Sequence, residues 1–376
     1  MNENELMSSL PVPKAVAKMA IPSVISSLVT VVYNMADTFF VGQTGDPLQV
    51  AAVSLTNPIF ILFMAFANMF GMGGSAAASM AMGEKNEKRM KQVSAFVTYA
   101  SLVVGVALAV ILMVFMTPVL NMFGANEQTF LYAKGYTFHI AYGAPFIIWS
   151  AAVSFVVRAE GASKEAMIGI LSGVCVTGLP TAVFSMLMSV STIVLNQILV
   201  AYGNAPVAAI GIVFKANMFI TFLQMGLANG VQPLLGYNYG SGDHKRFVSV
   251  ERYTKKCCVI VGILATALFF VLREPIIRLF ISDGEVVYYG VKMLIAYMLS
   301  GPVIGLLFVN MNCMQSVGNS FPATILSVMR QGLLLIPLLY LLNACMGLNG
   351  VIYGQAFTDY AAVILSLLFT GRHFLN

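Results

Sequence analysis

Charged residues are spread so unevenly along the chain that they leave long uncharged intervals. A helix rises about 1.5 Å per residue and the hydrocarbon core of a bilayer is about 30 Å thick, so roughly 20 apolar residues can cross it. Stretches of about ten residues that alternate apolar and polar side chains, as barrel strands do, do not occur in the sequence. The pattern therefore predicts an all-α, polytopic helical membrane protein. The uncharged intervals are 47–83, 92–126, 135–157, 166–214, 216–242, 293–329 and 331–358.

Composition leads to the same class of protein. Of the 376 residues, 59% are hydrophobic and 9% are charged, whereas roughly a quarter are charged in a soluble domain. The net charge of +5 does not indicate nucleic-acid binding, because the basic residues lie in short loops between apolar segments. Loops rich in Lys and Arg remain in the cytoplasm. We therefore expect a multi-pass membrane protein with both termini cytoplasmic.

An internal repeat organises the chain. Both copies contain a Lys-Arg pair, Lys88-Arg89 and Lys245-Arg246, in a loop expected to be cytoplasmic. The copies are therefore parallel, and we expect two lobes around a central cleft. Residues that match at an offset of 157 include Gly73 with Gly230, Gly83 with Gly240, Pro145 with Pro302 and Gly161 with Gly318, and Pro22 matches Pro180 at an offset of 158.

The two copies differ in their number of helices. Only residues 162–177 separate Gly161 from the point near Pro180 where the pattern restarts, so the first copy lacks about two helices. We expect an N-terminal lobe of four helices at 1–162, a shortened connector at 163–178 and a C-terminal lobe of six helices at 179–376. The ten or so predicted spans are 15–41, 50–82, 92–122, 128–158, 179–202, 206–239, 250–281, 285–316, 320–343 and 348–370.

Asp37 is a carboxylate inside the first predicted span. A charge at membrane depth is costly and usually functional. Tyr33 and Asn34 precede it by four and three residues, so they share its helical face and can hydrogen-bond the carboxylate or a bound ion. We interpret the three residues as an ion-coupling site for H⁺ or Na⁺. The alternative is a carboxylate held in a structural hydrogen bond between helices.

Other polar residues fall within the predicted C-terminal lobe. Three charged residues are predicted near the middle of the bilayer, Lys215, Arg330 and Asp359. We expect Asp359 to pair with Arg330 or Lys215 as a structural charge pair. Apart from a possible Na⁺ at Asp37, no metal site is expected. The candidates for lining a substrate cleft are the amides Asn196, Gln197, Gln224, Asn229 and Gln232.

Four segments resemble the multidrug and toxic compound extrusion (MATE) family of the MOP flippase superfamily. They are 34–42 (NMADTFFVG), 158–161 (RAEG), 230–240 (GVQPLLGYNYG) and 330–337 (RQGLLLIP). The resemblance implies a monomeric antiporter in the lipid bilayer of the bacterial plasma (inner) membrane. It would export amphipathic, often cationic drugs by alternating access, driven by H⁺ or Na⁺ and without another cofactor. It also places Asp37 at the family's first-helix carboxylate. The fifth and sixth helices, which supply partners to that carboxylate in the family, correspond to the segment absent here.

Two further functions stay open. One is a truncated MATE-like protein with weak or no transport, and the other is a flippase for lipid-linked oligosaccharides, whose relatives usually line the cleft with several basic residues. An enzyme is not expected. His139, His244 and His373 lie apart, and there is no Ser-His-Asp grouping or Gly-rich phosphate loop.

Overall fold

The computed structural model describes residues 7–42, 47–123, 127–156, 187–188, 190–281 and 283–373, and every regular element in these ranges is helical. Side chains are described throughout except at 30, 33–42, 47–55, 57, 127–129, 154–156, 204 and 370–373. The predicted all-α class is therefore confirmed. The predicted connector, 163–178, lies outside the described residues.

The helices follow the predicted spans closely. In the first half they are α1 (Val12–Gly42), α2 (Pro47–Gly83), α3 (Glu87–Val114), α4 (Met116–Met122) and α5 (Glu127–Val156). In the second half they are α6 (Val190–Val200), α7 (Asn204–Gly240), α8 (His244–Val271), α9 (Arg273–Arg278), α10 (Gly284–Met298), α11 (Gly301–Ser316), α12 (Ser320–Val328), a π-helical turn (Met329–Leu334), α13 (Leu335–Met346) and α14 (Leu348–His373).

Most of these helices are long and apolar enough to cross a membrane. Seven qualify within the described residues, and α10 with α11, bent by 47° at their junction, makes an eighth. The 30-residue α5 and the short apolar α6 coincide with the two remaining predicted spans. The chain is therefore a multi-pass membrane protein.

The sequence repeat is also a structural repeat. Helices α2 and α7 are both 37 residues long, and α3 and α8 are both 28 residues long. The start of α3 is capped by Asn86, whose side chain accepts a hydrogen bond from Arg89 N, and α8 is capped in the same way by Asp243 and Arg246 N. Each cap satisfies one of the N–H groups left open at a helix start.

One close helix crossing recurs in both copies. A methyl group added at Gly105 of α3 would lie 2.7 Å from Pro145 Cα on α5, and one added at Gly262 of α8 would lie 2.8 Å from Pro302 Cα on α11. Only glycine lets the backbones approach so closely. The paired glycines and prolines therefore mark the same helix contact in each copy.

The described contacts divide the chain into two compact units, which we call the N-terminal unit (Val32–Ser189) and the C-terminal unit (Met1–Val31 with Val190–Asn376). The N-terminal unit contains apolar clusters around Phe63 and Phe96, and the C-terminal unit contains a large one around Met293 and Leu294. The first half of α1 packs within the C-terminal unit. The lobe boundaries expected at 162 and 178 lie outside the described residues and stay a prediction.

Candidate ion and substrate site

The predicted ion-coupling site lies on α1. The backbone of α1 is helical from Val12 to Gly42, so Tyr33, Asn34 and Asp37 occupy one face by their spacing of three and four residues. Their side chains lie outside the described residues. Ion coupling at Asp37 therefore stays a prediction.

Two of the predicted cleft amides lie in a polar seam between α7 and α11. Asn312 Nδ2 donates to Asn229 Oδ1 at 3.0 Å, and Gln232 Nε2 donates to Gln315 Oε1 at 3.2 Å. Ser316 Oγ also donates to the backbone carbonyl of Gln232 at 3.2 Å. Since both helices advance by three residues between the two amide pairs, they run in the same direction along the seam.

A third predicted cleft amide, Gln224, joins three helices. Its Nε2 group donates to the backbone carbonyls of Cys258 on α8 and Gly301 on α11, both at 3.0 Å. Its side chain fills the space beside Gly305, where a methyl group would collide with Gln224 Oε1. Gln224 and Gln232 are fully buried, in contrast to the cleft-facing positions expected from sequence. Buried donors need partners, and here helix carbonyls and neighbouring amides supply them.

The other two predicted cleft residues lie on α6. Asn196 is half-buried and Gln197 is exposed. The structure does not bring them into the seam formed by Asn229, Gln232 and their partners on α11. They keep accessible surface within the C-terminal unit, as does the half-buried Asn229 of the seam.

The predicted intramembrane charges are paired in part. Arg330 Nε lies 2.7 Å from Asp359 Oδ1, with side chains only 7% and 3% exposed, and Gln355 Nε2 donates to the same oxygen at 2.9 Å. The Arg330 guanidinium also lies 5.9 Å from the centre of the Phe308 ring. Lys215 lies elsewhere, with its ammonium 6.0 Å from the Phe280 ring centre. Of the two partners considered for Asp359, the structure selects Arg330.

Arg330 belongs to the π-helical turn, which sequence reasoning missed. A π-turn holds an extra residue and leaves backbone groups out of the regular ladder. Ser191 Oγ on α6 donates to the Gln331 carbonyl inside this turn. The partner that stabilises the turn is thus about 140 residues away in sequence, and no local pattern predicts it.

The seam partners on α11 were visible in the sequence as polar residues, but their pairing was not. Asn312 and Gln315 repeat the spacing of Asn229 and Gln232 three residues apart. Matched spacing of amides on two apolar segments was the available signal, because polar residues in membrane helices tend to bond across helices.

The described fold is that of a helical membrane transporter. It matches the outward-facing conformation of a multidrug resistance MATE family transporter with a TM-score of 0.93 at 18% identity. The match covers 100% of this chain and 98% of that one. The MatE family model matches twice, at residues 22–184 and 180–341. The chain belongs to the MatE family.

The two family matches begin at Pro22 and Pro180, the prolines aligned in the sequence repeat. A MOP superfamily transporter from Pyrococcus furiosus also shares the fold, with a TM-score of 0.93, 18% identity and coverage of 100% of this chain and 98% of that chain. At such identity the likeness shows the fold alone.

Curated relatives align over nearly the whole chain. The multidrug export protein MepA of Staphylococcus saprophyticus is 26% identical over 420 positions, covering 94% of this chain and 92% of that protein. MepA of Staphylococcus aureus is 25% identical, covering 95% and 93%. Because 420 aligned positions exceed the 376 residues of this chain, at least 44 positions of the first relative have no counterpart here. This is about the length of two spanning helices.

Proposed function

We propose that this protein is a cation-coupled antiporter that exports amphipathic, often cationic drugs by alternating access. The observation that carries the proposal is the alignment of 94% of the chain with a multidrug export protein. The family match over both repeats supports a two-lobe transporter. The flippase alternative has less support, because among the described residues of the C-terminal unit the buried Arg330 is already engaged by Asp359.

In this proposal Asp37 couples the ion to the drug. An isolated carboxylate at membrane depth is unfavourable, so it binds H⁺, Na⁺ or a cationic substrate, but not two of them at once. Uptake of the ion neutralises the carboxylate and weakens its attraction for the cationic drug. Ion entry on one side therefore favours drug release there, and the empty carboxylate can take up another drug on the opposite side.

The amides divide into two groups in the same proposal. Gln224 and Gln232 are fully buried and hold α7 against its neighbours, so we assign them to the frame of the C-terminal unit. Asn196, Gln197 and the half-buried Asn229 keep accessible surface and stay candidates for substrate contact.

The test is dye efflux from vesicles containing the purified protein, driven by a proton gradient or a sodium gradient. We expect gradient-dependent efflux by the wild type and its loss in Asp37→Asn. Asp283→Asn is the matched control. Asp283 is an exposed N-cap that accepts from Glu285 N and Val286 N, and asparagine caps equally well. Full efflux by Asp37→Asn would refute the assigned role.

A second candidate function follows from the 44 or more unmatched positions of the relative. In that case the shortened chain transports weakly or not at all, because partners of the first-helix carboxylate are absent. Folded wild-type protein that shows no efflux under either gradient would favour this candidate over the antiporter.

A further inference from the structure

An exposed stripe runs along one face of α8, where side chains recur every three or four residues. Its members are Arg252, Lys256, Ile260, Ile263 and Ala267, all of them exposed. Such spacing keeps side chains on one face of a helix. Among the seven apolar spans of the described residues, α8 has the smallest buried share, 17%. The stripe therefore faces lipid over its apolar part.

The opposite face of α8 packs within the C-terminal unit. The Cys258 carbonyl accepts from Gln224 Nε2 of α7, and a methyl group added at Gly262 would lie 2.8 Å from Pro302 Cα of α11. Both Cys258 and Gly262 are buried. Since these contacts fix the rotation of α8, Arg252 and Lys256 are directed away from α7 and α11.

The apolar part of α8 is short for a membrane span. Residues 257–272 are the uncharged run between Lys256 and Arg273. A run of this length covers about 24 Å of helix, whereas the hydrocarbon core is about 30 Å thick. Lys256 therefore lies at the edge of the hydrocarbon, where its ammonium extends to the level of the headgroups. Arg252 lies one turn farther out.

The two exposed cations have no anionic partner within the described residues. Their neighbour Lys255 lies 2.5 Å from Glu251 Oε1, whereas Arg252 and Lys256 form no ion pair in that part of the chain. Residues four apart on a helix have Cβ atoms about 5–6 Å apart, so one phosphate can contact both side chains. A phosphate at this depth belongs to a lipid.

The repeat shows that these two charges are not needed to orient the helix. Both α3 and α8 begin beside a Lys-Arg pair and are 28 residues long. Basic residues at that end already set the orientation of a span. The counterparts of Arg252 and Lys256 in α3 are Ala95 and Tyr99. The deeper pair of cations is thus particular to α8 and calls for a purpose of its own.

We propose that Arg252 and Lys256 form a binding site for the phosphate of one anionic phospholipid, whose acyl chain lies along Ile260 and Ile263. Charge makes the selection. An anionic headgroup brings a net negative charge to the two cations, whereas a zwitterionic headgroup also carries an ammonium group that they repel. The bound lipid neutralises both side chains and holds the short span of α8 at its depth.

The test is native mass spectrometry of the purified, full-length protein, titrated with phosphatidylglycerol or with phosphatidylcholine of the same acyl chains. We expect the first phosphatidylglycerol to bind about thirtyfold more tightly than phosphatidylcholine, since each basic residue near the surface contributes about fivefold. In Arg252→Gln/Lys256→Gln this preference should fall to about threefold or less. A double variant with an undiminished preference would overturn the site.

The matched control is Lys88→Gln/Lys91→Gln, which removes two exposed charges from the start of α3. It should keep the preference for phosphatidylglycerol. An equal loss in both double variants would show that the overall charge of the protein attracts the lipid, and would refute a local site. Excess glycerol 3-phosphate should not displace the bound lipid, because it lacks the acyl chains. Displacement would overturn the lipid assignment and show a site for small phosphates. Binding is measured directly, so the outcome is independent of transport.

Discussion

The two copies of the repeat share one backbone plan and fill it differently. Where the second copy places Gln224 beside Gly305, the equivalent positions of the first copy are Ala67 and Ile148, both in one apolar cluster. In the second copy the large Gln224 faces a glycine, whereas in the first copy the small Ala67 occupies the equivalent position and the branched Ile148 replaces the glycine. Interiors are close-packed, so the sum of volumes at a contact matters more than which helix supplies it.

The exchange also changes the chemistry of the interior. The seam residues Asn229 and Gln232 correspond to Met72 and Ser75, both buried in the first copy. The second copy therefore holds its helices with specific hydrogen bonds at positions that the first copy fills with smaller or apolar side chains. Hydrogen-bonded amides fix the register of two helices, whereas apolar surfaces allow small sliding.

The largest effect on stability is expected at the Arg330–Asp359 charge pair. Its helices have no equivalent in the first copy of the predicted repeat. Arg330→Leu or Asp359→Leu leaves one buried charge alone, and each should destabilise the protein by about 3–5 kcal/mol. The double variant Arg330→Leu/Asp359→Leu should be much closer to the wild type, because no lone charge remains. Unfolding followed in detergent by thermal or denaturant titration measures this.

Matched controls come from the exposed pair Arg278 and Glu274, 2.8 Å apart. Glu274→Gln should change stability by less than about 1 kcal/mol. Single leucine variants of Arg330 or Asp359 as mild as this control would show that the buried pair is not a structural element.

A smaller effect is expected from swapping the packing of the two copies. Gly305→Ile should destabilise by about 3 kcal/mol, because its side chain collides with Gln224. Adding Gln224→Ala recreates the Ala67 and Ile148 combination and should recover part of the loss. The recovery is incomplete because Cys258 Cβ, 2.7 Å from a methyl group at position 305, remains and the hydrogen bonds of Gln224 are lost. The measurement is a double-mutant cycle on the free energy of unfolding. Simple additivity of the two changes would show that the copies do not share this contact.

The smallest effect on stability is expected in the turns that precede α3 and α8. Lys85 has φ of 56° and its counterpart Gly242 has φ of 76°, a left-handed conformation that favours glycine. Gly242→Ala should destabilise by about 1 kcal/mol, whereas Lys85→Gly should have a small or slightly stabilising effect. Thermal unfolding of the two single variants checks this. A stabilising Gly242→Ala would contradict the matched turn geometry.

Much of the fold could be predicted because its signals are local. Uncharged intervals set the helix positions, and shared positions such as Pro145 and Pro302 gave the repeat. The π-turn at Arg330 was not predicted, since its partner Ser191 is distant in sequence. The 47° bend between α10 and α11 falls at Gly301-Pro302, where the sequence predicted one continuous span, 285–316. Gln224 was expected to line a cleft, but it bonds to α8 and α11. The sequence of one helix does not show which neighbouring helix each of its faces contacts.

The π-turn constrains the length of the chain between α12 and α13. Its flanks, α12 and α13, each keep a buried leucine, Leu326 and Leu339, in the interior. Removing one residue between them would turn one flank by about 100° relative to the other and carry one of those leucines toward lipid. The extra residue of the π-turn therefore fixes how α12 and α13 are rotated relative to each other.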